Sequence, residues 1–230
     1  MTSSPFDPFI VENGFVLLDG GLATELEEQQ GADLSSDLWS ARLLNDNPSL
    51  IRETHLAYLR AGADVATSAS YQASYEGFLH KGFDREKATK LLLLSVKLAV
   101  EARDLFWQEY QQQCSRPDGP PRQTPTPSSS SSSACPLGEV CTDEVAGLVG
   151  SGHKGHRARL RPLVAASVGC YGASLADGSE YRGDYGSSVG WLGLKAWHRE
   201  RLEVLAGAEG VDFVLFETVP CLAEVRAILF

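Results

Sequence analysis

Phe15-Val16-Leu17-Leu18-Asp19-Gly20-Gly21-Leu22-Ala23-Thr24-Glu25-Leu26-Glu27 is the stretch whose reading decides the fold. The apolar run Phe15 to Leu18 ends abruptly in a carboxylate and two glycines, and a helix-competent segment, Leu22 to Gln30, follows at once. The pattern predicts a buried strand that delivers one acid at its C-terminal tip and then turns through glycine into a helix. An α/β enzyme displays a functional group in this way. Whether other strands bring partners to the same place is the question for the remaining residues.

Asn47-Pro48 predicts a helix start, with Asn as N-cap after a loop from Gly31, and Gly62 is placed to cap the helix end. Asp64 to Ser70 reads as a second strand. A long helix begins near Asp84, where Leu91, Leu94, Leu98, Ala102 and Leu105 recur at helical spacing and mark one buried face, and it fades at Gln111-Gln112-Gln113. Leu163 to Gly169 is a third strand, followed by a long polar loop from Cys170 to Tyr185 and a helix from about Leu192 to Ala208. Asp212 to Phe216 is a fourth strand stopping at Glu217, and Cys221 to Phe230 begins a last helix.

Two junctions repeat. Arg60-Ala61-Gly62-Ala63-Asp64-Val65 and Ala206-Gly207-Ala208-Glu209-Gly210-Val211-Asp212 each pass from a helix end, through glycine, into a strand. Such alternation indicates βα units and a parallel sheet. Residues 1–113 and 162–230 then hold four units, against the eight of a closed barrel, which needs roughly 200 to 250 residues. Residues 114–161 are rich in Ser, Pro and Gly, with an unbroken serine run from Ser128 to Ser133, and read as a disordered insertion. The expected architecture is therefore α/β, the first half of a (β/α)8 barrel. The uncapped ending Ala227-Ile228-Leu229-Phe230 fits a chain cut short.

Composition excludes several classes. A net charge of −10 argues against nucleic acid or an anionic membrane as the main partner. No window of about 18 apolar residues exists, and residues 1–14 carry no signal-peptide pattern. The five cysteines, Cys114, Cys135, Cys141, Cys170 and Cys221, show no zinc spacing, so reduced thiols in the cytoplasm are the expectation. No phosphate-binding glycine pattern occurs. In a barrel, Asp19, Ser70, Gly169 and Glu217 would meet at one mouth, where two carboxylates can hold an ammonium, act as acid and base, or bind a divalent cation.

Asp19-Gly20-Gly21-Leu22-Ala23-Thr24-Glu25-Leu26-Glu27, Leu38-Trp39-Ser40-Ala41, Ser68-Ala69-Ser70-Tyr71-Gln72-Ala73-Ser74, Tyr171-Gly172-Ala173 and Phe216-Glu217-Thr218-Val219-Pro220 resemble the homocysteine S-methyltransferase family. The resemblance covers about residues 14–110 and 162–230, and its wording is that of the branch using S-methylmethionine or S-adenosylmethionine. It implies a (β/α)8 barrel that transfers a methyl group to the sulfur of L-homocysteine to give methionine, with a zinc ion on three cysteine thiolates activating that sulfur. It implies that Asp19 and Glu217 hold the homocysteine amino group, that Gly20 and Gly21 give backbone contacts, and that Trp39, Ser70 and Tyr71 shape the donor side. The family's zinc cysteines sit in Asn-Cys and Gly-Gly-Cys-Cys motifs, which do not occur here, and none of the five cysteines matches them. The chain alone is therefore expected to lack methyltransferase activity. The competing readings are a non-catalytic homocysteine-binding or regulatory fragment, and another (β/α)8 enzyme using Asp19 and Glu217 as acid and base without metal.

Overall fold

The computed structural model describes residues 4–28, 31, 39–115, 159–175, 177–185 and 189–230, and side chains from residue 42 onward in the segment that starts at 39. Two compact units are separable: residues 1–109 with 160–230, and residues 110–159. Only a few residues of the second unit are described, among them Ser115, whose hydroxyl donates to the Gln111 carbonyl at 2.8 Å. Residues 116–158, the core of the predicted serine-rich insertion, lie outside the described residues.

A parallel three-stranded sheet, β1 (Val65–Thr67), β2 (Leu163–Gly169) and β3 (Phe213–Glu217) in that order, carries the first unit. Val65 pairs with Leu163, and Ala165 through Gly169 pair with Phe213 through Glu217. Around it lie α1 (Asp7–Asn13), α2 (Leu22–Glu28), α3 (Trp39–Asp46), α4 (Pro48–Ala61), α5 (Tyr75–His80) and α6 (Arg85–Cys114). After β2 come α7 (Tyr171–Leu175), α8 (Ser179–Arg182) and α9 (Trp191–Ala206), and α10 (Leu222–Leu229) follows β3. The core joins Ile51, Leu56 and Leu59 of α4 and Leu91, Leu92 and Val96 of α6 to Ala66, Val164, Ala166 and Val168 of the sheet. Burying this apolar surface, at about 25 cal/mol per Å², drives the packing of helix on sheet.

The opening stretch departs from expectation. Phe15 to Asp19 is not a ladder strand, and Phe15, Leu17 and Leu18 are 53%, 45% and 49% exposed rather than buried. Its outer edge meets no further strand among the described residues, while the repeated junction ties its inner edge to β1. The Asp64 N–H donates to the Leu17 carbonyl at 2.7 Å, while the Asp64 carboxylate accepts the Leu17 N–H at 3.0 Å. A side chain thus takes the place of the next backbone partner. Asp212 repeats the arrangement: its N–H donates to the Val164 carbonyl at 2.9 Å and its carboxylate accepts the Val164 N–H at 2.7 Å. Gly62 and Gly210, each two residues before its aspartate, have φ of 125° and 86°, which a Cβ disfavours. The stretch from Phe15 therefore stands to β1 as β2 stands to β3, held by a two-bond clasp. Buried Arg103 of α6 braces the second junction, donating to the Gly210 carbonyl at 3.1 Å and to Asp212 at 3.2 Å.

Other differences are local. The predicted second strand shrinks to three residues because Ser68 to Ser70 turn back on themselves, the Ser70 N–H donating to the Ser68 carbonyl at 2.8 Å. The fourth strand starts at Phe213, since Asp212 is spent on its clasp. The expected loop from Gly31 contains α3, which buries Leu43 and Leu44, and the polar loop after β2 contains α7 and α8. Asn47 occupies the N-cap of α4 without a side-chain bond to the backbone; its Oδ1 accepts from the Ser49 hydroxyl at 2.8 Å. On α6 the buried face drifts from Ala102 to Phe106, leaving Leu105 39% exposed. Among the described residues no helix is long and apolar enough to cross a membrane.

His55 of α4 is fully buried, and neither ring nitrogen has a partner among the described residues. Burial lowers its pKa to about 4. A folded-state pKa below the unfolded value means that acid favours the unfolded chain: stability falls as pH drops below about 6.5, by about 3 kcal/mol from this group at pH 4. His55→Leu removes both the unsatisfied nitrogens and this linkage. Its unfolding free energy is expected to exceed wild type by about 1 kcal/mol at pH 7 and by more at pH 5. Urea titrations at the two pH values check this, and an equal gap at both would refute it.

Candidate functional site

The sheet delivers polar groups to one end. Asp19 follows the clasped opening stretch, Thr67 closes β1, Ser167 lies near the tip of β2, and Glu217 closes β3. Thr67 holds Asp19 at both oxygens: its N–H donates to Oδ2 at 2.7 Å and its hydroxyl to Oδ1 at 2.5 Å. The Ser167 hydroxyl donates to Oε1 of Glu217. Between these pairs the Ser68 and Ser70 hydroxyls bond each other at 2.7 Å, Ser70 donates to the Ser167 carbonyl at 2.7 Å, and Ser68 accepts the Ser167 N–H at 3.0 Å. A belt of hydroxyls thus fixes two carboxylates at separate strand tips.

Both carboxylates face a cavity of about 540 Å³, whose polar lining also includes Gly20, Gly21, Thr67, Tyr71 and Thr218, with Leu18, Leu22 and Leu215 as apolar wall. That volume lies in the range of small-molecule sites. Burial raises the pKa of Asp19 above the usual carboxylate range, although the Thr67 bonds pull the other way. Burial likewise raises Glu217, Ser167 opposes it, and the negative charge of Asp19 adds to the rise. Two half-buried acids that repel each other are a site that a cation relieves. Thr218 has φ of 55°, a strained conformation for a β-branched residue, directly after Glu217 at the cavity edge.

The sequence-predicted residues divide. Asp19, Gly20, Gly21, Tyr71 and Glu217 meet at the cavity. A Cβ at Gly20 would stand 2.8 Å from the Tyr58 ring, and the Tyr58 hydroxyl donates to the Gly21 carbonyl at 3.1 Å, so the glycine pair is pinned against α4. Ser70 is fully buried beneath the cavity's hydroxyl belt and does not line it. Trp39 opens α3, and its side chain lies outside the described residues. Thr67 and Ser167, which each hold one of the two carboxylates, were not among the site residues expected from the sequence. The available signal was their place near strand ends, one per carboxylate.

A second polar cluster is buried among α7, α9 and α10. Glu224, with no exposed surface, accepts from the Tyr171 N–H at 2.5 Å, from His198 Nε2 at 2.8 Å and from the Tyr185 hydroxyl. Burial pushes Glu224 up, but these donors outweigh it and hold the carboxyl below its usual range. Burial lowers the His198 pKa despite Glu224. The neutral ring therefore donates from Nε2, and Nδ1 has no partner among the described residues.

Comparison with known proteins gives the family. The family profile described as Homocysteine S-methyltransferase matches residues 16–230. The chain belongs to that family. Homocysteine S-methyltransferase 2 of Arabidopsis thaliana is 43% identical over 215 residues, 93% of this chain and 53% of that protein. Homocysteine S-methyltransferase 4 of Zea mays is 46% identical over 207 residues, 90% of this chain and 48% of that protein. The metallated form of the homocysteine methyltransferase MmuM from Escherichia coli superposes with a TM-score of 0.70 at 37% identity, over 98% of this chain and 61% of that one. The chain thus spans about half the length of the curated family members it matches.

The zinc ion that the family resemblance implies does not fit the donors described here. Cys170 is fully buried at the tip of β2, Cys114 ends α6, and Cys221 caps α10. Among the described residues no group of three or more His, Cys, Asp or Glu is placed to hold a metal ion.

Proposed function

We propose that the cavity binds L-homocysteine, the methyl acceptor for transfer from S-methylmethionine or S-adenosylmethionine, a reaction that forms methionine. The observation that carries the reading is the pair Asp19 and Glu217, raised by burial, braced by Thr67 and Ser167, and facing one cavity in a chain of this family. The substrate ammonium lies between the two carboxylates and relieves their repulsion. The Gly20-Gly21 backbone approaches the amino-acid end, while Tyr71 and Trp39 form the donor side. Ser70 acts one layer down, by bonding the carbonyl of Ser167. The four strand-like segments from Phe15 to Glu217 are the first four βα units of a (β/α)8 barrel, and the protein works in the cytoplasm.

Since the cysteines among the described residues do not fit zinc, activation of the substrate thiol is assigned to none of the described residues. Alignment is what the chain supplies. We expect it to bind homocysteine and to form no methionine when given zinc and S-methylmethionine. This is also the outcome for a non-catalytic homocysteine-binding or regulatory protein.

Isothermal titration with L-homocysteine tests the reading. An ammonium between acids of raised pKa favours their ionised forms, so binding at pH 5 should release protons, seen as a heat that differs between buffers of different ionisation enthalpy. Affinity should fall as pH drops through the raised carboxylate values. Absence of binding at millimolar homocysteine, or affinity insensitive to acid, would overturn it. Zinc-dependent methionine formation by this chain would overturn the expected inactivity.

A further inference from the structure

Arg201 of α9 is 1% exposed, yet its described hydrogen bonds go to main-chain carbonyls and to no carboxylate. Nη1 donates to the Ala73 carbonyl at 2.9 Å and reaches the Tyr71 carbonyl at 3.5 Å, and Nη2 donates to the Gly169 carbonyl. The guanidinium lies over the Trp197 ring, 4.1 Å from its centre, and Trp197 is itself anchored by donating to Glu76 at 2.9 Å. Burying a guanidinium costs several kcal/mol, and apolar side chains usually fill such a space at least as well. Arg201 offers what they lack, a rigid fork that holds two backbone segments at once.

Those segments meet where there is no slack. A Cβ on Gly169 would lie 2.5 Å from the Tyr71 carbonyl oxygen and 2.7 Å from its ring. Tyr71 in turn lines the cavity, so its backbone position sets one wall. Burial pushes the Tyr71 phenol up to about 12; Thr218 beside it opposes this, and Cys170, Glu180 and Glu217 face the phenol and add to the rise.

We propose that Arg201 is a positioning residue for the cavity: by bridging the segment after β1 to the tip of β2, it fixes Tyr71 as the wall against which the ligand packs. The ligand arm of the test rests on the homocysteine-binding reading, and the spectroscopic arm does not. In the 230-residue chain, Arg201→Met and Arg201→Lys are compared with wild type, each with and without Tyr71→Phe. The Tyr71 titration, taken as the ultraviolet difference between each chain and its Tyr71→Phe partner, should fall from about 12 toward the ordinary 10 in Arg201→Lys, which keeps the cation and loses the fork; in Arg201→Met the loss of the cation opposes that fall. Homocysteine affinity should drop about tenfold in Arg201→Met, and by much less when Tyr71 is already Phe.

An unmoved Tyr71 titration in folded Arg201→Lys would overturn the proposal, as would an equal affinity loss in both Tyr71 backgrounds. Failure of both Arg201 variants to fold also counts against it, because Arg201 would then be a stability residue. If wild type does not bind homocysteine, the functional reading fails while the Tyr71 titration still decides the role of Arg201.

Discussion

In the Glu217→Gln variant, homocysteine affinity is expected to fall roughly 100-fold, while thermal stability at pH 7 rises. The two effects have one cause. Burial, with the charge of Asp19 added, raises the folded-state pKa of Glu217 above its unfolded value of 4.5. A raised carboxylate costs stability as pH climbs from the unfolded value through the folded one, so the wild-type chain carries at pH 7 a cost that is absent in acid. Gln can still accept from Ser167 and brings no charge, so it removes the cost together with the cation site. The gain should vanish below about pH 4, where both chains are neutral at this position. Homocysteine at a concentration that saturates wild type should stabilise wild type far more than the variant. Melting curves across pH, with and without ligand, measure both parts. A variant that melts lower than wild type at pH 7, or binds as tightly, would remove Glu217 from the assigned role.

Glu224→Ala should have the opposite character, with no effect specific to ligand and a stability loss of about 3 kcal/mol at pH 7. Glu224 is as buried as a side chain can be, but three donors converge on it, and its pKa is held low. The sign follows. A lowered carboxylate contributes stability that is present above the unfolded pKa of 4.5 and is lost as pH falls through the folded value. Removing it also leaves the His198 Nε2–H, the Tyr185 hydroxyl and the Tyr171 N–H without their acceptor. Urea unfolding at pH 7 should show the full gap, and the gap should shrink below pH 4.5. A loss under about 1 kcal/mol would mean that the cluster does not hold α9 and α10 together.

These two glutamates, seven residues apart, show where reading the sequence stops. Glu217 was legible as a candidate because it ends a strand, and the tip of a parallel strand is where an α/β fold can display a functional group. Glu224 sits in a helix with ordinary amphipathic spacing, and only the approach of Tyr185 and His198 from elsewhere in the chain makes it a buried acceptor. Thr67 and Ser167 were similarly invisible as partners of the two carboxylates. A hydroxyl at a strand end has many possible partners, and which one it finds depends on register across the sheet. The repeated junction was visible as a pattern, but its work was not: Asp64 and Asp212 each clasp the preceding strand by backbone and carboxylate together.

By itself the sequence determined the family, the alternation of strand and helix, and the identity of the two carboxylates, because apolar periodicity and strand-tip chemistry are local properties. The tertiary structure decided the rest. The opening stretch stays outside the ladder although Asp64 clasps it to β1, and Ser70 supports the cavity without lining it. It also placed Glu217 where the charge of Asp19 adds to the rise of its pKa. Such outcomes depend on distances between segments far apart in the chain, and only packing sets those distances.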